Sequence, residues 1–541
     1  MIRWTPTVLR RCVGLMLATT AVYAALPAQV RTQSGLVEGM SSADRKVRVF
    51  EGIPFAAPPV GQLRWQAPQP VMPWDGVRKA TAFGSRCMQA QIYSDMIFRD
   101  PGPSEDCLYL NVWTAAQSAD ANLPVMVWIY GGGFAAGGSS EPRQDGSKLA
   151  EKGVVVVSMN YRLGVFGFFS HPELTKESPQ HASGNYGLLD QAAAIDWVHK
   201  NISAFGGDPA KVTIFGESAG SISVSAQMAS PLSKNLIKRA IGESGSVFML
   251  IAPTMSLEQA EQQGSKFASL VGADNIEALR AIPAKKMLDL AQQHRAEVRF
   301  WPNVDGYFLP KQPKDIYASG EQAHVPLLAG WNTDEQSAPA FFGKEPQTLE
   351  NYIARMRTLY GENADEMLKL YPASNEKQMK DSAGALAGDR FIAYSTWKWI
   401  EEQLQTGEAP VYRYHFEQAP PQPAGTPSHG AYHSADIEYV FETLDSKNLP
   451  WTAADRKLSE LISSYWTNFA KSGDPNSPGL PNWPQDKQQD GYQVMHLVEG
   501  AGLRPHAARD TTRARYEMLD RISTETRSAD AAASQSKHQN Q

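Results

Sequence analysis

Cysteine is scarce in this 541-residue chain, limited to Cys12, Cys87 and Cys107. That excludes a framework of many disulfides, and no Cys/His cluster with metal-ligand spacing is present. Long apolar runs are missing too: no internal stretch reaches the roughly 18 residues that a membrane span needs. Positive charge is not in excess. Lys and Arg total 51 against 57 Asp and Glu, a formal net charge of −6. Such a surface argues against nucleic acid or an anionic membrane as partner. No internal repeat is visible. What the chain does have is length for one large domain or two to three ordinary ones. With 42% apolar residues and 13 tryptophans it can also build a sizeable core.

The N-terminus reads as an export signal. Arg3, Arg10 and Arg11 form a charged region, and the run from Cys12 to Ala25 is uncharged and mostly apolar. Leu26-Pro27-Ala28 offers small-residue cleavage after Ala28. The expected destination is periplasmic or secreted. Removing residues 1–28 takes away three arginines and no acid, which moves the formal charge from −6 to −9. It also discards Cys12 and leaves Cys87 and Cys107 as the one possible pair. In an exported protein these are expected to form a disulfide. The closed loop of about 20 residues is worth roughly 3 kcal/mol in the chain-entropy model. At the other end, residues 524–541 are small and polar, and a disordered tail is expected there.

Between these ends the pattern is that of a catalytic α/β domain over residues 29–523. Val125 to Ile129, Val154 to Val157 and Val212 to Phe215 are apolar on both faces, as strands of a helix-covered, mostly parallel sheet are. Leu188, Leu189, Ala192, Ile195, Val198 and Ile202 recur at helical spacing. Asn185 is placed to cap that helix and Gly206-Gly207 to end it. Further strands are expected around Ile241 and over Leu108–Trp113, Val325–Ala329, Val411–Phe416 and Tyr492–Leu497. Amphipathic helical patterns near 254–318 and 346–405 read as insertions forming a lid over the sheet end where Ser218 emerges.

Val212-Thr213-Ile214-Phe215 runs directly into Gly216-Glu217-Ser218-Ala219-Gly220 and then into a helix-permissive stretch. A strand that turns at a serine straight into a helix is a nucleophile elbow, with Ser218 in a strained conformation. In a chain with 42 glycines the five-residue pattern alone is weak. Its setting decides. Tyr130-Gly131-Gly132-Gly133-Phe134 follows the strand ending at Ile129, where such folds supply backbone N–H groups for a developing oxyanion. A base should follow the acid, and the acid should follow the serine. His171, His181 and His199 precede Ser218, and His294 and His324 precede the acid candidates. His415 and His496 read as sheet side chains, while His506 and His538 lie towards or in the tail. His433 and His429 remain, in a polar loop. For the acid, Asp334 and Glu335 sit just past a buried strand, and position alone does not separate them.

With these residues in view the chain resembles the type-B carboxylesterase/lipase family, the cholinesterase-like α/β-hydrolases. The resemblance runs from about Thr32 to about Trp483. It is carried by Gly52-Ile53-Pro54-Phe55-Ala56, Ser104 to Val112, Tyr130 to Phe134, Asn160-Tyr161-Arg162, Gly184 to Gln191, Phe205 to Pro209 and Phe215 to Gly220. It implies an α/β-hydrolase fold with a mostly parallel central sheet, helices on both faces and helical lid insertions. It also implies a serine carboxylesterase without cofactor or metal, acting on a small-molecule ester. The catalytic residues fall on Ser218, Glu335 and His433, and the oxyanion donors on Gly132, Gly133 and Ala219. A supporting serine falls on Ser244, the family disulfide on Cys87–Cys107, and two structural ion pairs on Arg64–Glu105 and Arg162–Asp190. Glu217 is expected to position the elbow rather than transfer protons. One departure is Gln336, where the family usually has glycine. Lipase, amidase or an esterase of large polyester metabolites such as fumonisins are alternatives, and a non-catalytic scaffold is disfavoured by the intact constellation. Phe134, Trp301, Phe341, Phe342 and the loop between Cys87 and Cys107 are candidates to line the entrance.

Overall fold

The doubly apolar runs become neighbours in one sheet. The computed structural model describes Met1 and residues 26–525. The expected signal segment and tail therefore lie almost wholly outside the described residues. In chain order the central strands are β1 (Met40–Ser41), β2 (Arg48–Pro54), β3 (Tyr109–Thr114), β4 (Leu123–Ile129), β5 (Val155–Met159), β6 (Gly207–Glu217), β7 (Arg239–Glu243), β8 (Leu327–Asn332), β9 (Val411–Phe416), β10 (Gln493–Leu497) and β11 (His506–Arg509). Their spatial order is β11-β10-β9-β8-β7-β6-β4-β5-β3-β2-β1. From β10 to β5 every pairing is parallel, and both edges are antiparallel.

The main helices are α1 (Tyr186–Asn201), α2 (Ala219–Ala229), α3 (Leu257–Leu270), α4 (Glu376–Gly388), α5 (Tyr394–Thr406) and α6 (Ala453–Ser472). They cover both faces, as strands without a polar side require. Two adjacent residues of β7 show this. A Cβ built on Gly242 would meet Trp399 of α5 and Ser221 of α2. The next residue, Glu243, points the other way and accepts a bond from the Trp466 indole N–H of α6 at 2.7 Å. Val125 to Ile129 are fully buried between these layers, each worth roughly 1.5–3 kcal/mol against exposure.

Several local expectations shift. The strand expected at Val325–Ala329 begins at Leu327 and runs on to Asn332. Pro326 has no N–H for the ladder, and Gly330-Trp331-Asn332 still pairs with β9. Asn185 stands at the start of α1 without capping it. Its side-chain amide instead binds the backbone N–H and C=O of buried Asn303, at 3.0 and 2.8 Å. Within the 346–405 insertion the first helical stretch divides into helices Leu349–Tyr360 and Ala364–Leu370, broken at Gly361. His506, read as approaching the tail, stands on edge strand β11.

Two buried ion pairs brace the frame. Arg162 donates to both oxygens of Asp190, from Nε at 2.8 Å and Nη2 at 2.7 Å. Arg64 does the same to Glu105, and its Nη1 also donates to the Ile282 carbonyl at 2.7 Å. Cys87 and Cys107 are disulfide-bonded. Among the described residues no helix is long and apolar enough to cross a membrane.

Candidate active site

β6 ends at Glu217, α2 begins at Ala219, and Ser218 forms the whole turn between them, with φ 57° and ψ −121°. This left-handed backbone is costly for serine and persists because its surroundings enforce it. A Cβ at Gly216 would lie 2.5 Å from the Ile129 carbonyl oxygen, and one at Gly220 still closer to it. Both glycines of the elbow are therefore steric necessities.

The partners come from three other segments. His433 Nε2 lies 2.9 Å from Ser218 Oγ, and His433 Nδ1 lies 2.5 Å from Glu335 Oε2. With Nδ1–H donating to the carboxylate, Nε2 is left to accept from the serine hydroxyl. Glu335 is itself held: its Oε1 accepts from Ser244 Oγ at 2.5 Å and from the Asn332 N–H at 2.7 Å. Ser244 follows β7 and adopts φ 53°, which turns its hydroxyl toward the acid.

The neighbouring candidates have different surroundings. Asp334 accepts from the Ala431 N–H at 2.8 Å, clamping the histidine loop. A Cβ on Gly430 would collide with that carboxylate, which explains the glycine. His429 is exposed at the cavity mouth. Gln336 does not take a positive φ, so the loop after the acid needs no glycine there. Gly132 and Gly133 do take positive φ, 99° and 63°, and line the same cavity as Ser218, Ala219 and His433.

A second carboxylate also approaches the imidazole. Buried Glu217 brings Oε1 within 3.3 Å of His433 Nε2. Burial pushes its pKa up to about 8, with His433 acting against the rise. Burial alone would lower the pKa of His433, but Glu217 and Glu335 outweigh it and raise the imidazole to about 9. Behind them Asp436 accepts from Asn332 Nδ2 at 3.2 Å and from Tyr414 at 3.1 Å.

The cavity above Ser218 has a volume of about 1120 Å³. The disulfide loop contributes Tyr93, Met96 and Ile97. From the 254–318 region Trp301 reaches it, while α3 packs into a separate apolar cluster with Phe166, Phe169 and Tyr186. From the 346–405 region come Phe391 and Ile392, on a π-helical turn between α4 and α5, and the Phe391 ring sits edge-on to His433 at 5.2 Å. Phe341 and Phe342 do not line this cavity; they pack on Tyr352 in the core. Phe134 is likewise buried, supporting Trp301 from behind at 5.0 Å.

A nucleophile elbow at the carboxyl end of a parallel sheet, with a histidine and a buried glutamate in line, defines an α/β-hydrolase. Residues 27–516 match the carboxylesterase family model, and the chain belongs to that family. It is 38% identical to a fumonisin B1 esterase of Sphingopyxis macrogoltabida, over 90% of this chain and 91% of that one. It is 39% identical to the para-nitrobenzyl esterase of Bacillus subtilis (strain 168), over 84% and 92%. A solved PNB esterase superposes with a TM-score of 0.77 at 36% identity, covering 91% of this chain and 99% of that one. The protein is a carboxylic ester hydrolase.

Proposed function

We propose that the chain hydrolyses uncharged, bulky esters through an acyl-enzyme on Ser218. His433 Nε2 takes the hydroxyl proton as Oγ attacks the ester carbonyl carbon. The N–H groups of Gly132, Gly133 and Ala219 hold the resulting oxyanion, each worth on the order of 3 kcal/mol in the transition state. Collapse breaks the bond to the alcohol, which leaves with the proton from His433. Water then attacks the acyl group with His433 again as base, releasing the acid and restoring Ser218. Glu335 fixes the imidazole tautomer and stabilises the imidazolium, with Ser244 and the Asn332 N–H holding Glu335 in turn. Glu217 positions and charges the same imidazole without exchanging protons with substrate.

The observation that carries this reading is the continuous contact Ser218–His433–Glu335, at 2.9 and 2.5 Å. The substrate class rests on the cavity. Tyr93, Met96, Ile97, Trp301, Phe391 and Leu449 make its walls largely apolar. Its cations are matched, Arg143 by Glu141 at 2.8 Å and Lys447 by Glu438 at 2.7 Å, so no unpaired cation is offered to an anionic ester. The names of the fumonisin B1 and para-nitrobenzyl esterases fit bulky substrates. The reading includes export, supported by the Arg3, Arg10 and Arg11 region with its apolar run and by the Cys87–Cys107 disulfide.

The test is a panel of p-nitrophenyl and p-nitrobenzyl esters, varied separately in acyl and alcohol parts, beside anilides and a long-chain glyceride. The neutral aryl and benzyl esters should turn over fastest, and Ser218→Ala should abolish turnover. Retained turnover in that variant contradicts the mechanism, and a preference for the glyceride or anilide contradicts the substrate class.

A further inference from the structure

Sheet pairing assembles a cluster that the linear sequence keeps apart. His415 on β9 lies opposite His496 on β10, which lies opposite His506 on β11. Three histidines thus form a row across three adjacent strands. Glu417, two residues past His415 and on the same face, turns its carboxylate between the first two. Its Oε1 is 3.1 Å from His415 Nδ1 and 2.6 Å from His496 Nδ1. One ligand atom from each of the three residues can be chosen so that all lie within 4.8 Å of one another.

We infer that His415, Glu417 and His496 form a binding site for a borderline divalent transition metal of the Zn²⁺ or Co²⁺ type. The donor set decides the class. Two imidazoles and one carboxylate suit zinc or cobalt, whereas calcium and magnesium prefer oxygen alone. The spacing is close to what is needed. Bonds of about 2.1 Å in a tetrahedral array place ligand atoms roughly 3.4 Å apart, so small side-chain rotations admit the ion. The three side chains are 23–30% exposed, which leaves room for water to complete the coordination. His415 is also oriented from behind, with Nε2 at 3.5 Å from Thr333 Oγ1, as metal-bound histidines generally are. Two of the three arginines lining the same cavity have carboxylate neighbours, and Arg509 is the third. Arg413 is paired with Asp510, and Arg515 lies 4.0 Å from Asp389.

The place of the cluster gives it a consequence. It lines a cavity of about 240 Å³ that Thr333 and Glu335 also line, behind the acid of the site above. An ion there links β9 and β10 at the base of the acid loop, away from Ser218, and braces the site without joining the chemistry.

The test uses untagged, EDTA-treated protein with Co²⁺ as probe, read by its visible absorption, and Zn²⁺ by calorimetry. One equivalent should bind, with affinity at least about tenfold weaker in His415→Ala, His496→Ala and Glu417→Gln. His433→Ala removes the histidine–carboxylate cluster beside Ser218 and should leave binding unchanged. Should an alanine variant fail to fold, Glu417→Gln, which keeps the side-chain shape, decides the matter, with ester hydrolysis as the check of folding. Absence of a Co²⁺ band, undiminished binding in Glu417→Gln, or loss of binding in His433→Ala would overturn the inference.

Discussion

His433 and His415 each contact a glutamate, His415 from within β9 and His433 from the loop that follows it. Their surroundings differ. The carboxylate beside His433 is buried and already holds a serine hydroxyl and a backbone N–H on its other oxygen. It can therefore orient one imidazole and do little else. The carboxylate beside His415 is shared with a second histidine and is 30% exposed. The first histidine faces a serine hydroxyl held in a strained turn, while the second faces another imidazole. The same two residue types are thus fitted to proton transfer in one place and to chelation in the other. The difference lies in what saturates the carboxylate and what the outer ring nitrogen meets.

Breaking the two clusters in turn separates them most sharply. His433→Ala should lower kcat by at least about 10⁴-fold, as loss of a triad base does elsewhere. His415→Ala should stay within about threefold of the parent. Steady-state kinetics on a p-nitrophenyl ester checks both, and comparable losses would erase the distinction. A smaller effect is expected from Ser244→Ala, which leaves the triad intact but removes one of the two donors to Glu335 Oε1. Loss of a hydrogen bond to a charged group costs about 1.5–3 kcal/mol, so kcat should fall roughly 10- to 100-fold with KM little changed.

The smallest effect concerns pH. His433 must be neutral to accept the serine proton, so kcat/KM should rise with pH through the elevated imidazole pKa. Glu217 helps to raise that pKa. Glu217→Gln removes a negative neighbour, so the acid limb of the profile should move to lower pH. An unmoved limb would show that Glu217 has no electrostatic hold on His433.

Much of this was legible in the sequence, for a physical reason. A strand–serine–helix elbow and a glycine loop are built from contiguous residues, so Gly216 to Gly220 and Gly131 to Gly133 announce themselves. The acid and base sit in loops where several candidates compete, and chain order alone left Asp334 beside Glu335 and His429 beside His433. The resemblance to known esterases pointed to Glu335 and His433, and the folded chain brings Glu335 to His433 and His433 to Ser218. Asp334 has a different task that only the folded loop reveals, the clamp on Ala431. Contacts between distant segments were invisible. Nothing local predicts that Glu217 approaches His433, or that His415 and His496 become partners across two strands. The strand holding His506 was also missed, since His506-Ala507-Ala508-Arg509 carries no alternating apolar signal.

The central claim is that Ser218 is the nucleophile which becomes acylated. Incubation with a slowly deacylating ester or an organophosphate, followed by proteolysis and peptide mass spectrometry, tests it directly. One adduct per chain is expected, on the peptide carrying Ser218, and it should be lost in Ser218→Ala and strongly slowed in His433→Ala. An adduct on any other residue, or full labelling of Ser218→Ala, would contradict it.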